Sequence, residues 1–286
     1  IKAIAIGNGT ASRETQSMIE EIQFDRKVEV YMVNESGASI YSASEIAREE
    51  FPDKDITVRG AISIGRRLMD PMAELVKIDA KSIGVGQYQH DVNQGKLKEN
   101  LDMTVISCVN QVGVNLNTAS HHILTYIAGL GPSVAKNIVD FRRANGDFTS
   151  IKQLKKVPRL GERAFEQAAG FLRIKDGSDK LDNTGVHPES YFIVEHMARQ
   201  AAVTLDEFIQ DENLRKRIRL EDFVSYKTGM PTLIDIMKEL DKPGLDPRGE
   251  AKSFNFSDQI KNINDIYEGL ILPGVVTNMT NFGAFV

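Results

Sequence analysis

The sequence predicts a multidomain chain, α/β in its first third and all-α through its middle, closing on a pair of strands. Three observations lead there. Over residues 1 to about 90, strand-like apolar runs alternate with helical patterns, the order expected of an α/β layer with parallel strands. Between Val114 and Ile174 a unit of helix, glycine-bearing hairpin and helix occurs twice, thirty residues apart. Charge is uneven as well: the net value is −5, yet residues 115–175 hold ten Lys/Arg against four Asp/Glu, a local +6 that leaves −11 elsewhere. A basic module in an acidic protein suits local binding of a polyanion.

Taken in order, Ile1 to Ile6 is a buried-strand run, Gly7-Asn8-Gly9-Thr10 a turn, and Ala11 to Ile22 an amphipathic helix. Val28 to Val33 is a second strand and Ser42 to Phe51 a second helix, with another helical pattern from Ile62 to Leu75. Val92 to Val112 reads as the helix that feeds the paired hairpins. The polar, Asp/Gly-rich stretch from Lys175 to Gly185 reads as a linker or surface loop. Pro188 and Glu189 suit the first turn of a helix; further helices are expected over Leu205–Lys216 and Pro231–Leu240, the last stopped by Asp241 to Pro247. Arg248 to Asn264 reads as extended, and Gly269 to Val286 as two strands about a short turn. Two strands hold no core by themselves, so the chain is expected to stop part-way through a domain.

The first hairpin is Ile127-Ala128-Gly129-Leu130-Gly131-Pro132, with Asn117 or Thr118 as candidate caps of the helix before it. The second is Val157-Pro158-Arg159-Leu160-Gly161-Glu162, with Ser150 ahead of it. Such a turn leaves main-chain N–H groups at the start of the following helix pointing outward, an anion site that suits a phosphodiester. Candidate contacts are Gly129, Leu130, Gly131, Ser133, Lys136, Arg142 and Arg143 for the first unit, and Arg159, Gly161 and Arg163 for the second. Arg159 stands where Gly129 stands, so if that position needs positive φ the second turn must differ. The first hairpin therefore ranks above the second. Contact of this kind is sequence-independent and salt-sensitive.

Other classes find little support. Cys108 is a lone cysteine, which rules out an intramolecular disulfide framework and fits a reducing cytoplasm. No run has the length of a membrane-spanning helix. The Gly7–Thr10 turn lacks the Lys-Ser/Thr ending of a P-loop and the third glycine of a dinucleotide fingerprint. The five histidines, His90, His121, His122, His187 and His196, make no metal-like combination with Cys108, so neither a metal nor another cofactor is expected. Because the chain opens on Ile1 within a strand-like run, it reads as a piece of a longer protein.

The order of parts resembles the Tex family of bacterial transcription accessory proteins. The strings that carry the resemblance are Ile6 to Glu14, Val33 to Ser39, Ser82 to Val92, the paired hairpins, His187 to Tyr191, Leu233 to Arg248 and the last eighteen residues. The resemblance implies a partial RNase-H-like domain of the YqgF type over 1–92 and a helix plus double helix–hairpin–helix over 93–175. It further implies a helical, helix–hairpin–helix-like module over 176–250, a linker over 251–265, and the start of an OB-fold RNA-binding domain over 266–286. In that last domain Phe282 and Phe285, together with Asn278, would offer a stacking surface for unpaired bases.

Three functional readings follow. The leading one is a non-catalytic, cytoplasmic factor that binds RNA and/or DNA and works with the transcription machinery, RNA polymerase or ribosome-associated components among its expected partners. The rival is a metal-dependent nuclease or junction resolvase, using Glu35, Asp70 and an acid expected on a strand before Ile1. As Asn34 stands where an acid would serve a metal better, Glu35 and Asp70 read first as turn and cap residues. The third is a protein-interaction scaffold.

Overall fold

A computed structural model describes residues 1–241 apart from Gln87 and Lys227, and residues 263–286 apart from Pro273, Val275, Thr277, Asn281, Phe282 and Val286; at Ile263 and Asn278 only the main chain is described. The expected linker thus lies largely outside the described residues, as do the turn after Asp241 and Phe282. By compactness the chain divides into residues 1–33 with 250–286, and residues 34–249.

In the first unit β1 (Ala3–Gly7) and β2 (Glu29–Val33) run parallel, Ala3 opposite Glu29 and Gly7 opposite Val33, with α1 (Ser12–Glu20) as the crossover. This is the strand–helix–strand order expected from the apolar runs.

The second unit opens with α2 (Ala38–Ala43) and α3 (Glu45–Glu50), whose junction falls inside the single helix expected over Ser42 to Phe51. The break is Ser44: its backbone is extended (φ −69°, ψ 162°) and its side chain accepts the Ala47 N–H, so it ends one helix and caps the next. Likewise α4 (Ile56–Met69) and α5 (Pro71–Leu75) divide a segment expected to be continuous. Asp70 precedes a proline and is driven from helical geometry, taking φ −151° and ψ 89°. Glu50 stitches these helices together, accepting from Lys77 Nζ, the Arg66 guanidinium and the Tyr41 hydroxyl. Burial pushes its carboxyl up, but those donors and the adjacent cations outweigh burial and hold it below the usual range.

The next helix, α6 (Gln94–Val112), is capped by Asn93 and leads into the double hairpin. There β3 (Val114–Asn115) pairs in parallel with β4 (Leu172–Arg173), closing the first turn of chain onto the last. Between them lie α7 (His121–Leu124), α8 (Pro132–Asn145), a 3-10 helix over Ile151–Lys156 and α9 (Glu162–Ala168). One core serves both copies, and it is built from equivalent positions: Leu124 and Leu154, Ile127 and Val157, Leu130 and Leu160, Ala135 and Phe165 are all buried. Each large apolar side chain so enclosed contributes about 1.5–3 kcal/mol.

The stretch from Lys175 to Gly185, expected to be a linker or surface loop, is exposed in its first half and built into the fold in its second. Leu181 and Asp182 are fully buried, and the Asp182 carboxylate accepts the Ile151 N–H and the Tyr191 hydroxyl. Lys175, Asp176, Ser178 and Lys180 stay exposed, but Asp182 and Thr184 turn inward to satisfy main chain, which polar composition does not reveal. Beyond it α10 (Tyr191–Gln200), α11 (Leu205–Gln210) and, after the short α12 (Glu212–Lys216), α13 (Met230–Leu240) build a second apolar cluster centred on Val194, Met197, Phe208 and Leu233. At the chain's end β5 (Asn278–Thr280) and β6 (Gly283–Phe285) pair antiparallel.

Candidate nucleic-acid interface

The two hairpins share one backbone. Gly129 has φ 82° and Arg159 φ 65°; two residues on, Gly131 (φ −82°, ψ 169°) and Gly161 (φ −79°, ψ 168°) take up the N-cap positions of α8 and α9. The expectation that arginine at 159 forces a different turn is therefore overturned. The arginine enters the left-handed region itself, at a cost of about 1–2 kcal/mol. It is held there by Leu160, buried in the common core, and by the Asn137 amide, which donates to Pro158 O at 2.8 Å.

The glycines at 131 and 161 answer no internal need. Their dihedrals are open to any residue, and an added Cβ would meet nothing within 4 Å. Neither cap position carries a side-chain hydrogen bond to its helix. In α8, Pro132 occupies the first position, where its missing N–H is harmless, and the N–H groups of Ser133 and Val134 belong to the turn that has no intrahelical acceptor. An open, uncapped helix start with positive partial charge is an anion site. Gly129 is different: a Cβ there would lie 2.8 Å from Gln167 Cβ and 3.1 Å from Ala164 O, so glycine is required for both φ and packing.

Side chains distinguish the two sites. The first turn of α8 carries no acid, whereas α9 begins with Glu162, whose carboxylate sits at the positive helix end and pairs with Lys155. Lys136 is exposed one turn into α8; the matching residue of α9 is Glu166. Arg159 Nη1 lies 3.3 Å from Ser133 Oγ, so the guanidinium of the second hairpin stands at the helix start of the first. The substitution that makes the second turn strained thus adds a cation to the first hairpin's site.

Other expected contacts lie elsewhere. The Leu130 side chain is buried and its N–H donates to Ile127 O, which leaves it as a core anchor. Arg142 donates to Leu116 O at 2.7 Å and Ala119 O at 2.9 Å, and burial holds its guanidinium below the usual range. It is a staple for the turn before α7. Arg143 is exposed near Asp140, but eleven residues beyond Pro132 it lies roughly 16 Å along the helix from the hairpin. Arg163 is exposed in the first turn of α9.

Asn117 does not cap α7. It donates to Phe148 O and accepts the Phe148 N–H, while Ser120 caps α7 and Ser150 caps the 3-10 helix thirty residues later. The thirty-residue spacing of these serines was the sequence signal for both caps. Phe285 is exposed on β6, in register with Asn278, and Phe282 lies outside the described residues.

Glu35 and Asp70, the candidate nuclease acids, have other neighbours. Asp70 accepts the Ala73 N–H at 3.0 Å as the cap of α5. Glu35 contributes its charge to the buried Arg67, which donates to Asn34 O and Ser36 O. Among the described residues no group of three or more His, Cys, Asp or Glu is arranged to hold a metal, and no helix is long and apolar enough to cross a membrane.

Comparison with known proteins finds three family matches in chain order: a Tex protein YqgF-like domain over residues 1–69, a helix-hairpin-helix motif over 109–173 and an HHH domain over 179–248. The whole chain is 54% identical to the transcriptional accessory protein Tex of Neisseria gonorrhoeae, covering 38% of that relative. It is 51% identical to the protein tex of Bordetella pertussis, again over the whole chain and covering 36% of the relative. A human S1 RNA-binding domain-containing protein 1 is 37% identical over 99% of the chain and 35% of its own length. The chain thus spans well under half the length of these relatives.

Proposed function

Because the chain belongs to the Tex family of transcription accessory proteins, we propose that its double helix–hairpin–helix holds a nucleic-acid backbone without reading sequence, with the first hairpin as the principal grip. One observation carries this reading: the open start of α8 at Gly131, uncapped and free of acid, with Arg159 brought to Ser133 from the other hairpin. A phosphate there would accept main-chain N–H groups, the Ser133 hydroxyl and the Arg159 guanidinium, with Lys136 adding charge nearby. The human relative is named for an S1 RNA-binding domain, which favours RNA as one ligand of the whole protein. In this reading β5 and β6 belong to an OB-fold whose Phe282 and Phe285 stack bases, and the YqgF-like part is an RNase-H-like scaffold without catalytic work. Cytoplasmic action beside RNA polymerase or the ribosome completes it.

The test is titration of labelled single-stranded RNA and duplex DNA against the chain at two salt concentrations. Binding is expected to weaken with salt and to fall in Lys136→Glu and Arg159→Glu. Absence of binding at low salt, or indifference to both reversals, would sink the proposal.

A further inference from the structure

A cavity of about 720 Å³ opens beside the first hairpin, of a size that takes a small ligand. Its walls come from the last turns of α6, from Ala128 at the back of the hairpin, from the end of α9, and from the module that follows β4. Two wall residues are committed to building it. The Asn110 amide donates to Ile106 O and Tyr126 O and accepts the Ala128 N–H; the His187 ring bridges Glu166 O and the Glu189 N–H. What remains for a ligand is the Ser107 hydroxyl and the exposed Gln111 and Gln167 amides, which make no internal hydrogen bond among the described residues.

The rest of the lining narrows the ligand class. Arg173 is buried in the wall and its Nε has no acceptor, but Glu239 supplies a compensating charge and Glu166 a further negative one. A bare phosphate would gain nothing from that balance. Phe171 and Ile106 add apolar surface beside the two amides. Amides that both donate and accept, with an aromatic face and no net positive charge, match a nucleobase edge and its ring. Position agrees: Ala128 lines the cavity, and Gly131 follows three residues later, so the phosphate site lies within about 11 Å of the wall. Gln167 closes against Gly129, making the hairpin itself the rim.

We propose that this cavity receives unpaired bases of a strand whose backbone lies on the first hairpin. The inference rests on the phosphate reading of the hairpin. The bases of a duplex are stacked and paired and cannot enter.

The test compares a short labelled oligouridine, the same backbone made wholly abasic, and a duplex of equal length, all at low salt. The chain is expected to bind oligouridine roughly tenfold tighter than the abasic strand. Ser107→Trp, on the exposed face of α6, should fill the cavity and abolish that difference with abasic affinity unchanged. The milder pair Gln111→Ala and Gln167→Ala should shrink it, which guards against a misfolded tryptophan variant. Equal affinity for oligouridine and abasic strand, or a base preference untouched by every one of these variants, overturns the cavity proposal and leaves the hairpin reading intact. Loss of all binding, abasic and duplex included, would overturn the hairpin reading with it.

Discussion

The two hairpins of this chain are alike in backbone and unlike in what they offer a ligand. Both turn through a residue of positive φ, both bury a leucine, and both end on an uncapped glycine. The first then presents a helix start without acids, a lysine one turn on, and a borrowed arginine; the second presents Glu162 and Glu166. Repetition preserved the scaffold, and charge divided the labour. A helix start whose positive end already holds its own carboxylate has little left for a phosphate.

The sharpest way to break this comparison is at the left-handed position. Gly129→Ala combines an unfavourable φ with a collision against Gln167 and Ala164, and should cost about 2–4 kcal/mol in urea unfolding. Arg159→Gly should hold or raise stability, by less than about 1 kcal/mol, because it relieves strain at the same point of the turn. Equal losses from the two would show that φ is not what separates them. Next in size is Arg142→Ala, which strands two carbonyls and should cost about 1.5–3 kcal/mol while leaving nucleic-acid affinity unchanged below the unfolding transition. Weakened binding by the folded variant would return Arg142 to the interface.

Smaller effects belong to binding. Lys136→Glu should lower the slope of log affinity against log salt by about 1, and Arg163→Glu by less. A larger change at Arg163 would reverse the ranking of the hairpins. The smallest expected effect is a gain: Glu162→Gln removes the carboxylate at the start of α9 and should tighten binding slightly at low salt. Weaker binding by that variant would mean Glu162 orients Lys155 toward the ligand.

Periodicity and spacing made the architecture legible. The thirty-residue repeat, the parallel strand–helix–strand opening and the basic middle all stand in the sequence because each depends on local pattern. The breaks at Ser44 and Asp70 were readable in principle, one from a capping serine and one from the residue before a proline, but apolar continuity masked both. The stretch from Lys175 to Gly185 misled in its second half, since composition cannot tell a solvated aspartate from one that satisfies buried main chain.

The chain by itself determined that a helix–hairpin–helix unit recurs thirty residues apart, and that its surroundings are basic. Tertiary structure decided which cations serve them. Arg142 and Arg143 are near in sequence, yet one is spent on Leu116 and Ala119 and the other is a helix length away. Arg159, the residue that seemed to weaken its own hairpin, reaches Ser133 of the other. A repeat and its charge are written residue by residue, so sequence can state them, whereas the shared core that buries Leu160 brings Arg159 to the dihedral of Gly129. The destination of a long, flexible guanidinium depends on which surfaces packing brings within its reach, and only the folded chain sets that.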